Sequence, residues 1–425
     1  MKISKKILIP IIIVLFLGAC ITIPNTISRK NISYIYNPAS SQLHPNYLVY
    51  HQNDSVSTIL IWFYPSELTF NKAVNRTTHS AKMRIKYKVF PSFESNKIID
   101  SSSVNYIIPK NRVLNSFFVS IPIKIQASQT YALEVTATDI LRNVSAKSYI
   151  PVDKTSKYTS QNYNVYSSKT NTIYFKNHFK PEESFRIRHN TKKSDSIYLS
   201  YYYYEFPLPP PPFSTMPRKI VKIKPDSIVR YKLNDKLIIK QKAASHYYFQ
   251  IDTSERGGFS TYNFHKYFPF VKNSKQLLRP MRYLTSLKEY KRIEKSKNKK
   301  MEIDKFWLSA AGNTTRAREL IRIYYNRVLF SNLYYTCYTE GWRTDRGMIY
   351  IIFGPPEAVY RTDLEERWVY GEGKSFRPVT FSFMKVENKF SDNIFILKRN
   401  PSFKSIWYKA IDTWRKGQVF YFDLN

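Results

Sequence analysis

The sequence runs to 425 residues with a formal net charge of +36 and two cysteines, Cys20 and Cys337. That length exceeds what one hydrophobic core serves and implies two or three domains, while two cysteines exclude a disulfide framework and a cysteine metal cluster. Lysines and arginines are spread along the chain rather than gathered in one patch, so the charge points to a membrane-side or polyanion-rich setting and does not argue for nucleic acid.

The N-terminus reads in three parts. Lys2, Lys5 and Lys6 give a positive start, Ile7 to Phe16 an apolar run broken only by Pro10, and Gly18-Ala19 a small-residue exit. This is the layout of a secretory signal, and the run is too short for a stop-transfer helix. Leu17-Gly18-Ala19-Cys20 resembles the bacterial lipobox. The resemblance implies cleavage between Ala19 and Cys20, diacylglycerol on the Cys20 thiol and acylation of the new N-terminus, a combination that anchors firmly where one chain binds marginally. Residues 1–19 are therefore expected as a signal peptide and 20–40 as a lipidated, aperiodic tether, with a flexible reach of roughly 25 Å. Ile21 to Asn25 carry no acidic run, which favours an outer-membrane anchor facing the periplasm, with the cell surface as the alternative. Nucleic acid is not an expected partner there.

From about 41 to 155 the chain alternates strand-like runs with polar breaks. Ser57 to Tyr64, Ala81 to Phe90, Val104 to Ile108, Ser116 to Ile123 and Tyr131 to Thr138 are rich in β-branched and aromatic residues, and their spacing predicts an antiparallel sandwich. A second β segment, 156–280, carries candidate strands at Thr172 to Phe175, Ser196 to Tyr204, Ser227 to Tyr231, Lys236 to Ile239 and Tyr247 to Ile251. Between them lies Phe206-Pro207-Leu208-Pro209-Pro210-Pro211-Pro212-Phe213. Such a run favours polyproline II; the reading preferred here is a stiff connection packed on the protein's own aromatics, over a ligand for a partner's groove. Residues 281–300 read as a basic linker, with Lys288 to Lys300 a solvated connector, helical or partly disordered.

The last 120 or so residues differ in kind: five of ten glycines fall between Gly341 and Gly373, and five of six tryptophans at or after Trp307. Asn313 and Thr314 are candidate N-caps for a helix with Ala317, Leu320, Ile321, Tyr324 and Val328 on one face and Arg316, Arg318, Arg322, Asn326 and Arg327 opposite. It is expected to end near Glu340 with Gly341 as left-handed C-cap. Met348 to Phe353 reads as a strand ended by Gly354-Pro355-Pro356. Strands at Arg367 to Tyr370, Val379 to Glu387 and Asn393 to Arg399 follow, the first two joined by a Gly371-Glu372-Gly373 turn. A final helix places Trp407, Ala410, Ile411 and Trp414 at core spacing.

Gly341, Trp342, Thr344 and Asp345 spell the motif of the GWxTD-domain family of bacterial proteins, which residues 301–425 resemble. Phe306-Trp307, Tyr325 with Arg327, Gly347, Ile349-Tyr350 and Gly354-Pro355-Pro356 also look like family positions. The expected fold is mainly β with a C-terminal α+β domain: two consecutive β-sandwich (Ig-like) domains, then a GWxTD domain of helices packed on a small antiparallel sheet.

The family name carries no mechanism, so the residues must be weighed directly. Gly341 and Trp342 turn and pin the chain, and Thr344 and Asp345 close an Asx- or ST-type turn, making the motif a fixed corner. The rival reading makes Asp345, with Glu357 or the Glu365-Glu366 pair, a carboxylate acid–base set of the glycosidase kind. All seven histidines lie at or before His265, so a domain starting at 301 has none for a triad or a metal site, and Cys337 among tyrosines suits an inert buried thiol. No catalytic residue, metal or cofactor is assigned. The function expected is that of a non-enzymatic envelope lipoprotein that binds or scaffolds protein partners, with anionic lipid or polysaccharide as further partners. A carboxylate-dependent hydrolase of envelope glycan or peptide is the first alternative, and a polyanion- or carbohydrate-binding module the second.

Overall fold

The computed structural model describes residues 26–72, 79–110, 116–191, 195–216, 224–372 and 378–422; the expected signal peptide, Ala19, Cys20 and Gly373 lie outside them. Among the described residues the architecture is mainly β, with sheets in the N-terminal two-thirds and helices on a sheet at the C-terminal end.

The first β unit sets two antiparallel sheets face to face. One has the order β1 (Asn46–His51), β2 (Val56–Phe63), β6 (Phe117–Lys124). The other is built on β4 (His79–Phe90), flanked by β5 (Asp100–Pro109) and β7 (Thr130–Asp139), with β8 (Val144–Asp153) beyond β7 and the short β3 (Asn71–Lys72) against the start of β4. Period-2 patterning explains the packing: along β4, Ala81, Met83, Ile85, Tyr87 and Val89 are buried while Lys82, Arg84 and Lys86 face out. They meet Ile59, Ile61 and Phe63 of β2 and Val119, Ile121 and Ile123 of β6 in one core, which is how sandwiches close.

The second unit pairs β9 (Tyr163–Ser167), β10 (Ser184–His189) and β13 (Ile239–Lys240) against β11 (Ser196–Tyr202), β12 (Ser227–Lys232), β14 (Ser245–Gln250) and β15 (Phe259–Asn263). Val165, Phe185, Ile187, Leu199 and Phe249 fill its interior. Thr172 to Phe175, expected as a strand, supplies only an isolated bridge from Ile173 to Tyr166.

The third unit carries α1 (Ser274–Leu278), α2 (Leu287–Lys295), α3 (Lys299–Ala311), α4 (Thr314–Tyr335), α5 (Asp345–Phe353) and α6 (Phe403–Arg415) on a sheet β16 (Ala358–Arg361), β17 (Glu365–Tyr370), β18 (Val379–Lys385), β19 (Phe395–Leu397). Three expectations are corrected here. Met348 to Phe353 is helical, not a strand. A short apolar run is ambiguous in period, and the Thr344 hydroxyl, accepting from Gly347 N at 3.0 Å, caps it as a helix. The basic stretch 281–300 is not a bare linker: Ser286 and Glu289 form a capping box that opens α2, and Ile293 is wholly buried in the same core as Trp307 and Trp368. The third concerns the tether. Ile27, Ile32 and Tyr36 are buried in this C-terminal core, with Ile32 N donating to Val359 O at 2.9 Å and Tyr350 Oη to Tyr36 O at 3.0 Å. Residues 26–36 are a docked strap, fixed by Ile27, Ile32 and Tyr36, with Tyr34 and Ile35 packed against the same core.

The proline run packs on the protein itself. Arg399 Nη2 donates to Pro210 O at 3.0 Å, Asn400 N to Pro212 O at 3.1 Å, and Phe206 and Phe213 rest on Tyr338 and Tyr408 of the C-terminal unit.

Candidate functional site

The motif lies where α4, α5 and β19 converge. α4 ends at Tyr335, five residues before the expected point, and Gly341 opens a single 3-10 turn (Gly341–Arg343). Its glycine is required by proximity, not by a left-handed cap: a Cβ there would sit 1.9 Å from Ser331 O of α4. Gly347 is the reciprocal case, with a Cβ 2.0 Å from Gly341 O. The two glycines let the turn press against both helices. Trp342 is 2 % exposed, its N–H held by Asn332 Oδ1 at 3.1 Å and its carbonyl by Tyr283 Oη at 2.9 Å. Thr344 Oγ1 donates to Gly341 O at 2.8 Å while capping α5.

Asp345 is fully buried. Oδ2 accepts from Leu397 N at 3.0 Å, and Oδ1 from Arg399 Nη2 at 2.5 Å. The carboxylate therefore ties the first turn of α5, where negative charge is favoured, to the end of β19, and through Arg399 to the proline run. Each side of the ion pair compensates the other's desolvation. Glu357 sits apart, half-buried beyond Pro356, with its carbonyl accepting from the strap's Asn31 and Ser33 at 3.0 and 2.9 Å.

Next to this corner lies an ionic network that sequence reasoning did not find. Arg346, 2 % exposed, reaches Glu366 Oε2 at 3.5 Å and Asn393 O at 3.0 Å, and lies between the rings of Tyr335 and Phe395. Glu366 is wholly buried, accepting from Tyr36 Oη at 2.9 Å and Trp368 Nε1 at 2.7 Å. Burial and the neighbouring Glu366 carboxylate push the Tyr36 phenol well above its ordinary range, so it stays a donor. Arg346, directly after the motif's aspartate, was the available signal; Tyr36, 310 residues distant, gave none.

Arg327, assigned to the solvent face of its helix, is instead 7 % exposed. Nη1 donates to Ile351 O and Ile352 O at 3.0 and 3.1 Å, and the guanidinium faces Trp414 at 5.2 Å. A cation there satisfies the C-terminal carbonyls of α5, and Gly354, at φ +88°, leaves room for it, since a Cβ would lie 2.8 Å from Nη2. Burial lowers the Arg327 pKa to about 10, still charged at neutral pH. Cys337 is buried, as expected of an inert thiol. His265, placed outside the domain in the sequence reading, contacts Glu340 at 3.4 Å beside the motif.

The family model for the GWxTD domain matches residues 245–416. This is a GWxTD-domain protein. The matched region begins well upstream of residue 301, taking in His246, His265, α1 and α2, which agrees with the burial of Leu278, Met281 and Ile293 in the GWxTD core. No curated protein matches the chain. Among the described residues no helix is long and apolar enough to cross a membrane, and no cluster of His, Cys, Asp or Glu has the geometry to hold a metal ion.

The GWxTD motif is thus built as a corner. Its glycines permit close approach, its tryptophan is pinned by hydrogen bonds at both backbone ends, and its aspartate is committed to Arg399 and a backbone amide. An aromatic-walled groove of about 940 Å³ lies elsewhere, between the two sandwiches.

Proposed function

We propose that the chain is a lipid-anchored envelope protein that binds or scaffolds partners without catalysing a reaction, its GWxTD domain serving as the rigid base. The observation that carries this reading is the strap. Thr26 is six residues from Cys20, and Ile27, Ile32 and Tyr36 just beyond it are buried in the GWxTD core. Six residues span at most about 20 Å, so lipidation at Cys20 would hold the GWxTD domain close to the bilayer and leave the sandwiches to present their surfaces. An anchor wired into a rigid base suits a display or scaffold role better than a long flexible leash. The partners proposed are envelope proteins, with anionic lipid headgroups attracted by the basic surface; the outer membrane facing the periplasm is the preferred site. The commitment of Asp345 to the corner supports the non-catalytic side of the reading.

Fractionation of cells carrying wild-type and Cys20→Ser chains tests this. Wild type is expected in the membrane fraction and labelled by a fatty-acid analogue, and the variant unlabelled and released. A variant that stays membrane-bound and uncleaved would mean a plain N-terminal anchor helix.

A further inference from the structure

The groove between the sandwiches is lined on one side by the outer face of β1, β2 and β6 and on the other by β9 and residues 171–176. Period-2 alternation places Thr58, Leu60 and Trp62 on the face of β2 opposite its core residues. Its walls are aromatic. Phe118 is 46 % exposed, and Trp62 and Phe118 converge on the ring of Phe175 at 6.4 and 6.0 Å. Two large rings on the outward sheet face, with a third facing them from the opposite wall, make an aromatic surface of the kind that marks a binding site.

The second observation is polar. Thr58 and Asn164, 3 and 4 % exposed, both line the groove, and Thr58 Oγ1 and Asn164 Oδ1 have no hydrogen-bond partner among the described residues. Leaving such atoms unpaired in a buried position is costly, and both belong to residues of the groove wall. The third observation is charge. Among the described residues the lining holds no carboxylate, and its one cation, Lys176, is paired with Glu183 at 2.6 Å. Arg188, 4.8 Å from the ring of the lining residue Tyr166, is paired with Asp235 at 3.0 Å, and burial raises the phenol of Tyr50, in the lining, to about 12, keeping it a neutral donor.

We infer that this groove is a binding site for a neutral oligosaccharide. Aromatic faces complement the apolar C–H faces of sugar rings, while neutral hydroxyl and amide groups suit alternating sugar hydroxyls, and spent charges match an uncharged ligand. A peptide adding to the edge of β9 would use backbone groups and would leave Thr58 and Asn164 unpaired. The inference deepens the proposed binding role by naming a ligand class, and rests on it.

The test uses the full chain in detergent. Tryptophan emission is followed during titration with maltohexaose, cellohexaose, xylohexaose, mannohexaose and N-acetylchitohexaose, with heparin, polygalacturonate and a pool of neutral decapeptides alongside. At least one neutral hexasaccharide is expected to bind saturably, and Trp62→Ala and Phe118→Ala each to weaken it about tenfold or more. Thr58→Val and Asn164→Leu separate binding from folding. They should weaken the sugar several-fold while leaving Tm unchanged or raised, because an unpaired buried polar atom is removed. Binding of none of the neutral sugars overturns the inference. So does a polyanion or the peptide pool binding in its place, or sugar binding indifferent to Trp62 and Thr58. Membrane retention of the same protein through Cys20 is scored separately, so loss of the glycan inference and loss of the anchoring reading are distinguishable.

Discussion

At the scale of single residues, Asp345 and Gly341 bear most directly on what the motif is. Asp345→Asn keeps the shape but strands the guanidinium of Arg399 against a neutral partner. Breaking a buried pair from one side typically costs roughly 3 kcal/mol or more, so denaturant unfolding should show a loss of that order. A loss within about 0.5 kcal/mol would mean that the carboxylate is not a structural tie. Gly341→Ala should be worse, since its Cβ would overlap Ser331 O, with Ser331 and Asn332 backbone within 2.8 Å. Gly312→Ala is the control: its Cβ meets nothing within 4 Å, and only its φ of +77° resists substitution, a cost of about 1–2 kcal/mol. Soluble yield and Tm of the two alanine variants check the order. These roles were half legible in the sequence. That Gly341 and Gly347 permit crowding follows from their lack of a side chain, but which backbone crowds them depends on α4, whose end the sequence does not mark.

At the scale of elements, β4 as a strand and the Asn313 cap of α4 were readable because local pattern and burial agree there. Met348–Phe353 was misread because α5 is buried on every side, so no polar face survives to reveal a period of 3.6. Arg327 was misplaced because a charged residue on a helix normally faces water; here the carbonyls of α5 and the ring of Trp414 replace it. In the second sandwich, burial lowers three histidines: His178 and His189 to about 4 and His246 to about 3, the last also repelled by Lys389. Unfolded histidine titrates near 6.5. The unfolded chain therefore binds more protons below that pH, and stability falls as pH drops from about 6.5 toward 3–4. The imidazole proton resonances of these three should titrate below pH 5; titration near 6.5 for any of them would contradict its burial. A separate, acid-side link joins α2 to α6. The Arg415 guanidinium holds Glu289 down to about 2, a stabilisation present above roughly pH 4.5 and lost as pH falls toward 2. Glu289→Gln should flatten the stability profile across that interval.

At the scale of the whole molecule, the late clustering of glycine and tryptophan marked the C-terminal region as distinct, and local strand and helix patterns gave the mainly β front and the α+β end. The long-range closures could not. The strap meets the GWxTD core across more than 300 residues, through Tyr36 with Glu366 and Asn31 with Val359 N at 3.1 Å. Tyr262 Oη meets Phe390 O at 2.7 Å, joining the second sandwich to the same base. No periodicity reports such pairs. Tyr36→Phe should cost on the order of 1–3 kcal/mol by leaving Glu366 one donor short, and should loosen the N-terminal segment; faster amide exchange in residues 26–36 would register it, and unchanged exchange would contradict the strap.

Anchoring at Cys20, tied through this strap to the GWxTD base, is the central proposal. Mass spectrometry of the N-terminal peptide from protein purified out of membranes tests that most directly. A peptide beginning at Cys20 and carrying acyl chains is the predicted result, and a membrane-bound chain beginning at Met1 with an unmodified Cys20 would contradict it.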